Sequence, residues 1–222
     1  MRYCLWMPDG PDPADLAASP ELRRRLDNVT RARAASTEDS TVALAATPYR
    51  FKHVAQPTTR YIVIPRTVTE RRTYMALGYL EPDHIVSNGS FWAEDPDGVI
   101  FAVASSATFI AWQKAIGGRI KSDPRFANTL VWNNFPLPEL TTALRKAVID
   151  AGQGVLAARA ADTGHTLAQE YDPRGMTPAL VTAHRALDKA VDKAFGLSRG
   201  RIDDHKRLQT LFAHYRNLTT VP

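Results

Sequence analysis

An α+β fold, a mixed sheet-containing part followed by a small all-helical one, is predicted by three features of the chain. Between Tyr61 and Trp132 short apolar and aromatic runs alternate with polar turns, the pattern of strands. Beyond Pro138 the strand signals stop, and apolar residues recur at helical spacing. A helix with one apolar stripe precedes both. The boundary is placed at Pro138, giving a domain over residues 1–138 that includes an N-terminal helical segment and a helical domain over residues 139–222.

Taken in order, the Pro/Asp-rich stretch from Pro8 to Asp15 leads to Ser19 and Pro20, a capping hydroxyl followed by proline at the first helical position. Leu22, Leu26 and Val29 then share one face, and the helix runs to about Ala34. Thr41 to Ala46 supplies a second turn or two before Pro48. Strands are expected at Tyr61–Ile64, Thr73–Leu80, Phe91–Ala93, Val99–Ala104 and Thr129–Trp132, with turn chemistry at Asp95 to Gly98. One helix interrupts them, Thr108 to Ile116, preceded by serines and stopped by Gly117 and Gly118. In the last third Leu140, Leu144 and Val148 begin a helix, Thr177 with Pro178 opens one that closes at Gly196, and a last one covers Asp203 to Leu218. Ala157 to Arg174 reads as polar and irregular.

At 222 residues and 44% apolar content the chain can bury a substantial core. No apolar run approaches the roughly 20 residues that span a bilayer, and the N-terminus lacks the basic start and apolar segment of a signal peptide. A soluble cytoplasmic protein with no membrane partner is expected. The single cysteine, Cys4, rules out an internal disulfide and a cysteine-rich zinc cluster; it is read as core filler. The net charge of +5 favours a polyanionic partner. Arg23, Arg24, Arg25, Arg31 and Arg33 cluster on the first long helix, which is also what a solvated helix face looks like. Arg50, Lys52, Arg60, Arg66, Arg71 and Arg72 follow with one nearby acid, Glu70. Such clustering is the electrostatic footprint of a nucleic-acid binder.

The stretch Gly117 to Pro138 carries the most specific chemistry. Lys121, Asp123 and Arg125 stand two residues apart, and in an extended segment that spacing aims all three side chains to one side. A cation donates to guanine O6 and N7 while a carboxylate accepts from cytosine N4, so such a set can read both halves of one base pair. By itself a Lys-x-Asp pair in a loop is an ordinary solvated ion pair of little energetic value.

Catalytic patterns are missing. No Gly-x-Gly loop follows a strand, and Asn133, Asn134, Phe135 and Pro136 imitate an amine-gripping Asn-Pro-Pro-aromatic element with the prolines misplaced. Asp203, Asp204 and Lys206 resemble the tail of a metal-dependent nuclease motif, yet they open a helix, where acids favour the dipole. Asp188, Lys189, Asp192 and Lys193 fit an exposed helix face laced by contacts four residues apart. The six histidines show no helical metal spacing, and the four tryptophans lie among apolar runs, which favours core roles over a stacking platform.

RYCLWM at Arg2, SPELRRRLDNV at Ser19, TPYRF at Thr47, YIVIPRTVTERRTYMALGYL at Tyr61, GRIKSDPRFANTLVWNNFPLPE at Gly118 and EYDPRGMTPALVTAHRALDKAVDKAFG at Glu170 resemble the C-terminal third of MmeI-like type IIG (type IIL) restriction-modification proteins. The resemblance implies a target recognition domain and a C-terminal helical domain taken from a longer polypeptide whose remaining parts are a nuclease, a helical connector and an adenine-N6 methyltransferase. It implies that S-adenosylmethionine, and Mg²⁺ for cleavage, serve those other parts, with no cofactor or metal held here. The implied partners are double-stranded DNA and the methyltransferase core of the same polypeptide. Implied base-reading positions are Lys121 with Asp123 as a pair, Arg125 as a third reader, and Asn88 in the Ser87–Ser90 loop. Arg60, Arg66, Arg71, Arg72 and Arg119 are then the candidate phosphate contacts, which position without specifying. The competing expectation is a protein-interaction or scaffolding module with an incidental basic surface, which exposed apolar stripes on the Thr177–Gly196 helix would favour.

Overall fold

The computed structural model describes residues 3–220. Met1, Arg2, Val221 and Pro222 lie outside them, Arg2 being the first residue of the RYCLWM motif. Two compact units separate between Gln56 and Pro57.

The N-terminal unit holds α1 (Pro13–Ala18), α2 (Pro20–Ala34), α3 (Asp39–Ala43) and a 3₁₀ turn at Leu44–Ala46. Helix α1 lies where only a Pro/Asp-rich segment was read; Asp12 accepts from the Ala14 N–H at 2.7 Å, and Pro13 fills the first turn. Ser19 caps α2 as expected, accepting from the Leu22 N–H at 3.2 Å. Arg33 donates to the carbonyls of Leu44, Thr47 and Arg50, so it fastens the unit's second half to α2. Arg24 and Arg25 both pair with Glu21 on the exposed helix face. Cys4 is exposed, not core filler: in its neighbourhood Tyr3 is 94% exposed.

The second unit is built on β1 (Tyr61–Pro65), which lies between β2 (Gly78–Leu80) and β3 (Ser90–Glu94) in an antiparallel sheet. Register pairs Val63 with Gly78 on one edge and Tyr61 with Glu94 through Pro65 with Ser90 on the other. The expected Thr73–Leu80 strand shrinks to its last three residues, because Tyr74 to Leu77 plug into the core instead of pairing.

Val99–Ala104, expected as a strand, is helix α4. A six-residue apolar run has no periodicity to separate the two states, and capping decides it. Asp95 accepts from the N–H groups of Ile100 (3.0 Å) and Phe101 (2.9 Å), Asp97 accepts from that of Val99 (3.2 Å), and Gly98 takes the left-handed φ of +86° at the cap. Helix α5 (Ala107–Ile116) follows under the Ser106 cap, buried from Ala107 to Gln113. It stops at Gly117, where a Cβ would sit 2.5 Å from the Gln113 carbonyl.

Then β4 (Gly118–Ile120) and β5 (Asp123–Arg125) form a hairpin. Thr129–Trp132, expected as a strand, lies in a π-helical turn over Asn128–Trp132. Trp112 Nε1 donates to the Val131 carbonyl at 3.0 Å and the Asn134 amide to the carbonyls of Thr129 and Leu130, so these acceptors face side chains and not a partner strand.

Helices α6 (Thr142–Ala160), α7 (Leu167–Glu170), α8 (Pro178–Ala194) and α9 (Asp204–Thr219) complete the unit. The stretch read as irregular, Ala157 to Arg174, contains the end of α6 and all of α7, the latter closed by a capping box between Thr166 and Gln169. The sheet and these helices share one apolar core running from Ile62 to Leu211.

Asp188 and Asp192, expected on a solvated face, point inward. Asp188 accepts from the Tyr74 hydroxyl (2.7 Å) and the Ala107 N–H (2.8 Å). Asp192 accepts from Thr108 (2.7 Å) and from Nε and Nη2 of Arg207 (2.9 and 2.8 Å). Breaking such a buried pair by removing one partner costs about 3–5 kcal/mol, so α5, α8 and α9 are pinned together by charge as well as by apolar contact.

Candidate nucleic-acid interface

The candidate base-reading residues do not sit on an extended segment. Ile120 pairs with Asp123, which leaves Lys121 and Ser122 as a two-residue hairpin turn. Lys121 has φ +56°, the one non-glycine with positive φ among the described residues. A β-carbon disfavours that conformation, and the hairpin holds it there, presenting the lysine at the tip. Asp123 and Arg125, two apart on β5, keep a common face. The expected three-residue row is therefore a tip and a pair.

The hairpin is attached to the chain that continues β1. The Val68 N–H donates to the Pro124 carbonyl (3.1 Å), the Phe126 N–H to the Arg66 carbonyl (2.7 Å), and Thr67 bridges to Arg125. Pro124 lacks an N–H but here is needed only as an acceptor. Asp123 Oδ1 accepts from the Glu70 N–H at 3.0 Å. The Arg66 N–H donates to the Gly89 carbonyl at 3.0 Å, so the loop that carries exposed Asn88 meets the same segment. Lys121, Asp123, Arg125, Arg66 and Asn88 are thus gathered at one end of β1.

Arg66 lies over the Phe91 ring, 4.8 Å from its centre, with its Nε buried and unpartnered among the described residues. Arg119 donates to the carbonyls of Ser122 (2.7 Å) and Lys114 (3.3 Å) and stands 4.0 Å from Glu70, which braces the turn beneath Lys121. Arg71 is exposed; Arg72 is half-buried and donates to the Ala168 carbonyl at 3.2 Å. Arg60 is set apart at the opposite end of β1, over the Tyr79 ring at 4.2 Å and 3.5 Å from Glu81. Six residue steps of strand put about 20 Å between Arg60 and Arg66.

Two contributors were absent from the sequence reading as site residues. Glu70 supplies the N–H that fixes Asp123, and Ile120, paired with Asp123, is 48% exposed beside the candidate readers. The hairpin escaped notice because Lys-Ser lacks the glycine or asparagine that marks a two-residue turn.

Among the described residues no group of histidine, cysteine, aspartate and glutamate could hold a metal ion, and no helix is long and apolar enough to cross a membrane. The apolar stripe of α8 is covered: Leu180, Leu187 and Val191 are buried.

A family model described as the target recognition domain of MmeI matches residues 1–139, and one described as the C-terminal domain of MmeI matches residues 141–221. The chain is 32% identical over 219 residues to DNA methyltransferase A of Bacillus subtilis (strain 168), a match covering 99% of this chain and 25% of that protein. It superposes with a TM-score of 0.93 and 33% identity on the type IIL restriction-modification enzyme MmeI, solved in complex with DNA, covering 98% of this chain and 29% of that one. The chain thus spans a quarter to under a third of the relatives' length.

Proposed function

Because this chain belongs to the MmeI family, spanning its target recognition and C-terminal domains, we propose that it is the sequence-specific double-stranded DNA recognition module of a larger adenine-N6 methyltransferase and restriction enzyme. The observation that carries the reading is the hairpin, with Lys121 at its tip and Asp123 and Arg125 on one face, beside Arg66 and Asn88. Lys121 and Asp123 read one base pair, the ammonium donating to guanine and the carboxylate accepting from cytosine N4. Arg125 and Asn88 read neighbouring positions, and Arg66, Arg71, Arg72, Arg119 and Arg60 hold phosphates to set register. Of these Arg71 has the least encumbered guanidinium, while Arg119 also fixes the turn.

The module itself performs no bond-breaking step in this reading. The methyltransferase core of the same polypeptide provides the rest of the groove, and S-adenosylmethionine and a divalent ion serve domains outside these residues, in the cytoplasm. Burial of the α8 stripe removes the feature that would have favoured a scaffolding role.

The test joins this chain to its methyltransferase core and maps methylated sites. Replacing Lys121→Glu together with Asp123→Arg exchanges donor and acceptor, and the preferred base pair should reverse at one position. An unchanged site map, or no duplex binding at low salt both without and with the core, would refute the reading.

A further inference from the structure

Beyond the hairpin, we infer that the outer face of α8 with the α8–α9 loop is a second duplex-DNA-binding surface, one that holds phosphates without reading bases. This rests on the DNA-recognition reading above. Arg185, Lys189 and Lys193 recur at four-residue spacing, so they line one face of α8, and all three are exposed. The acids that would neutralise them in sequence, Asp188 and Asp192, are turned to the core and engaged there by Tyr74, Ala107, Thr108 and Arg207. None of the three cations pairs with an acid among the described residues. Over roughly 12 Å of helix the face therefore presents three positive charges, a length along which duplex DNA carries about seven phosphates.

The adjoining loop extends the surface. A pocket of about 290 Å³ opens between α8 and this loop, lined by Arg185, Lys189 and Lys193 on one side and Ser198 and Gly200 on the other, with Arg207 at its floor. Asp188 and Asp192 also reach its wall; Asp192 is matched by Arg207, which leaves the lining cationic. Lys206 donates to the Arg199 carbonyl at 3.0 Å and steadies the loop, on which Arg199 and Arg201 are exposed. The nearby acids are occupied, Asp203 in capping α9 through the Lys206 N–H and Asp204 against Arg207 at 3.3 Å.

The experiment measures binding of the 222-residue chain to a mixed-sequence duplex across a salt series, for the protein and for a variant carrying Arg185→Ala, Lys189→Ala and Lys193→Ala. Each phosphate contact adds about 0.9 to the log–log salt slope, so the triple variant should lose about two to three units of slope while its base preference in the joined methyltransferase stays the same. Arg185→Lys should restore one contact's worth when put back into the triple variant, and matching thermal unfolding should show that folding is intact. If the protein binds and the triple variant has the same slope and affinity, this inference alone falls. If duplex binding at low salt is absent both for the chain alone and for the chain joined to its methyltransferase core, the recognition reading falls with it.

Discussion

Asp123 accepts a hydrogen bond from the backbone N–H of Glu70, fifty-three residues earlier, at 3.0 Å. One oxygen of the proposed cytosine acceptor is therefore already committed to holding the hairpin against the segment after β1, and its second oxygen is the one available to a base. The proposed reading and the observed positioning thus meet in a single carboxylate.

Separating those roles gives the first prediction. Asp123→Asn keeps an oxygen for the Glu70 N–H but loses the charge, so hairpin stability should be preserved while base discrimination falls by about 1–3 kcal/mol. Asp123→Ala should lose the discrimination and also about 1 kcal/mol of stability. Urea unfolding run beside competition binding on duplexes differing at one base pair distinguishes the two variants; equal stability loss in both would contradict the assignment.

Lys121 stands at φ +56°. Glycine tolerates that backbone where a β-carbon is strained, so Lys121→Gly should stabilise the chain by about 1 kcal/mol while weakening duplex recognition. The urea midpoint should rise as affinity falls. A midpoint that drops would mean that the lysine side chain contributes to folding.

In the core of the second unit, a Cβ on Gly152 of α6 would lie 2.7 Å from the Ala102 Cβ and 3.2 Å from its Cα on α4. Helix propensity alone favours alanine, but overpacking costs about 1–3 kcal/mol and should win here. Gly152→Ala should lower the thermal midpoint, whereas Gly154→Ala, with nothing within 4 Å of the added Cβ, should raise it or leave it level.

His184 is fully buried, its ring stacked 3.9 Å from that of Tyr74 and its Nε2 2.7 Å from the Tyr171 hydroxyl. Burial foremost, and then the positive charge of Arg159, lowers its pKa to about 3. The unfolded chain therefore takes up a proton on this group near pH 6.5 while the folded chain does not, and stability falls as the pH drops from about 6.5 toward 3, by about 2 kcal/mol at pH 5. Burial raises the Asp188 carboxyl, which acts in the opposite sense. The contribution of His184 is accordingly read as the difference between the protein and His184→Gln, in urea unfolding at pH 7 and pH 5; equal pH dependence in the two would be inconsistent with a buried neutral imidazole.

Four helices with side-chain caps were legible in the sequence, whereas α1 under Asp12 and α7 under Thr166 were not. Ser19, Ser106, Thr177 and Asp203 each announce a helix and each accepts the hydrogen bond that announcement implies. Helix α4 was not, because its stabilising acceptors, Asp95 and Asp97, precede it inside what looks like a plain turn. Thr129–Trp132 failed for a different reason: the Trp112 indole that takes up the Val131 carbonyl comes from another helix. At the site, the residue types and their two-residue spacing were visible, whereas the Lys-Ser turn carries no glycine or asparagine to mark it, and the tethers at Glu70, Val68 and Arg66 join the hairpin to residues more than fifty positions away. The outward charge of α8 was hidden by the same limit, since only packing decides that Asp188 and Asp192 turn inward.

Two of the hairpin's tethers to the segment after β1, those at Pro124 and Phe126, run from main chain to main chain. Amide groups are the same whatever residue carries them, so mutation at the exposed tip or at position 125 leaves these two tethers in place. On the proposed reading, the target sequence can then change along that route while the framework stays still.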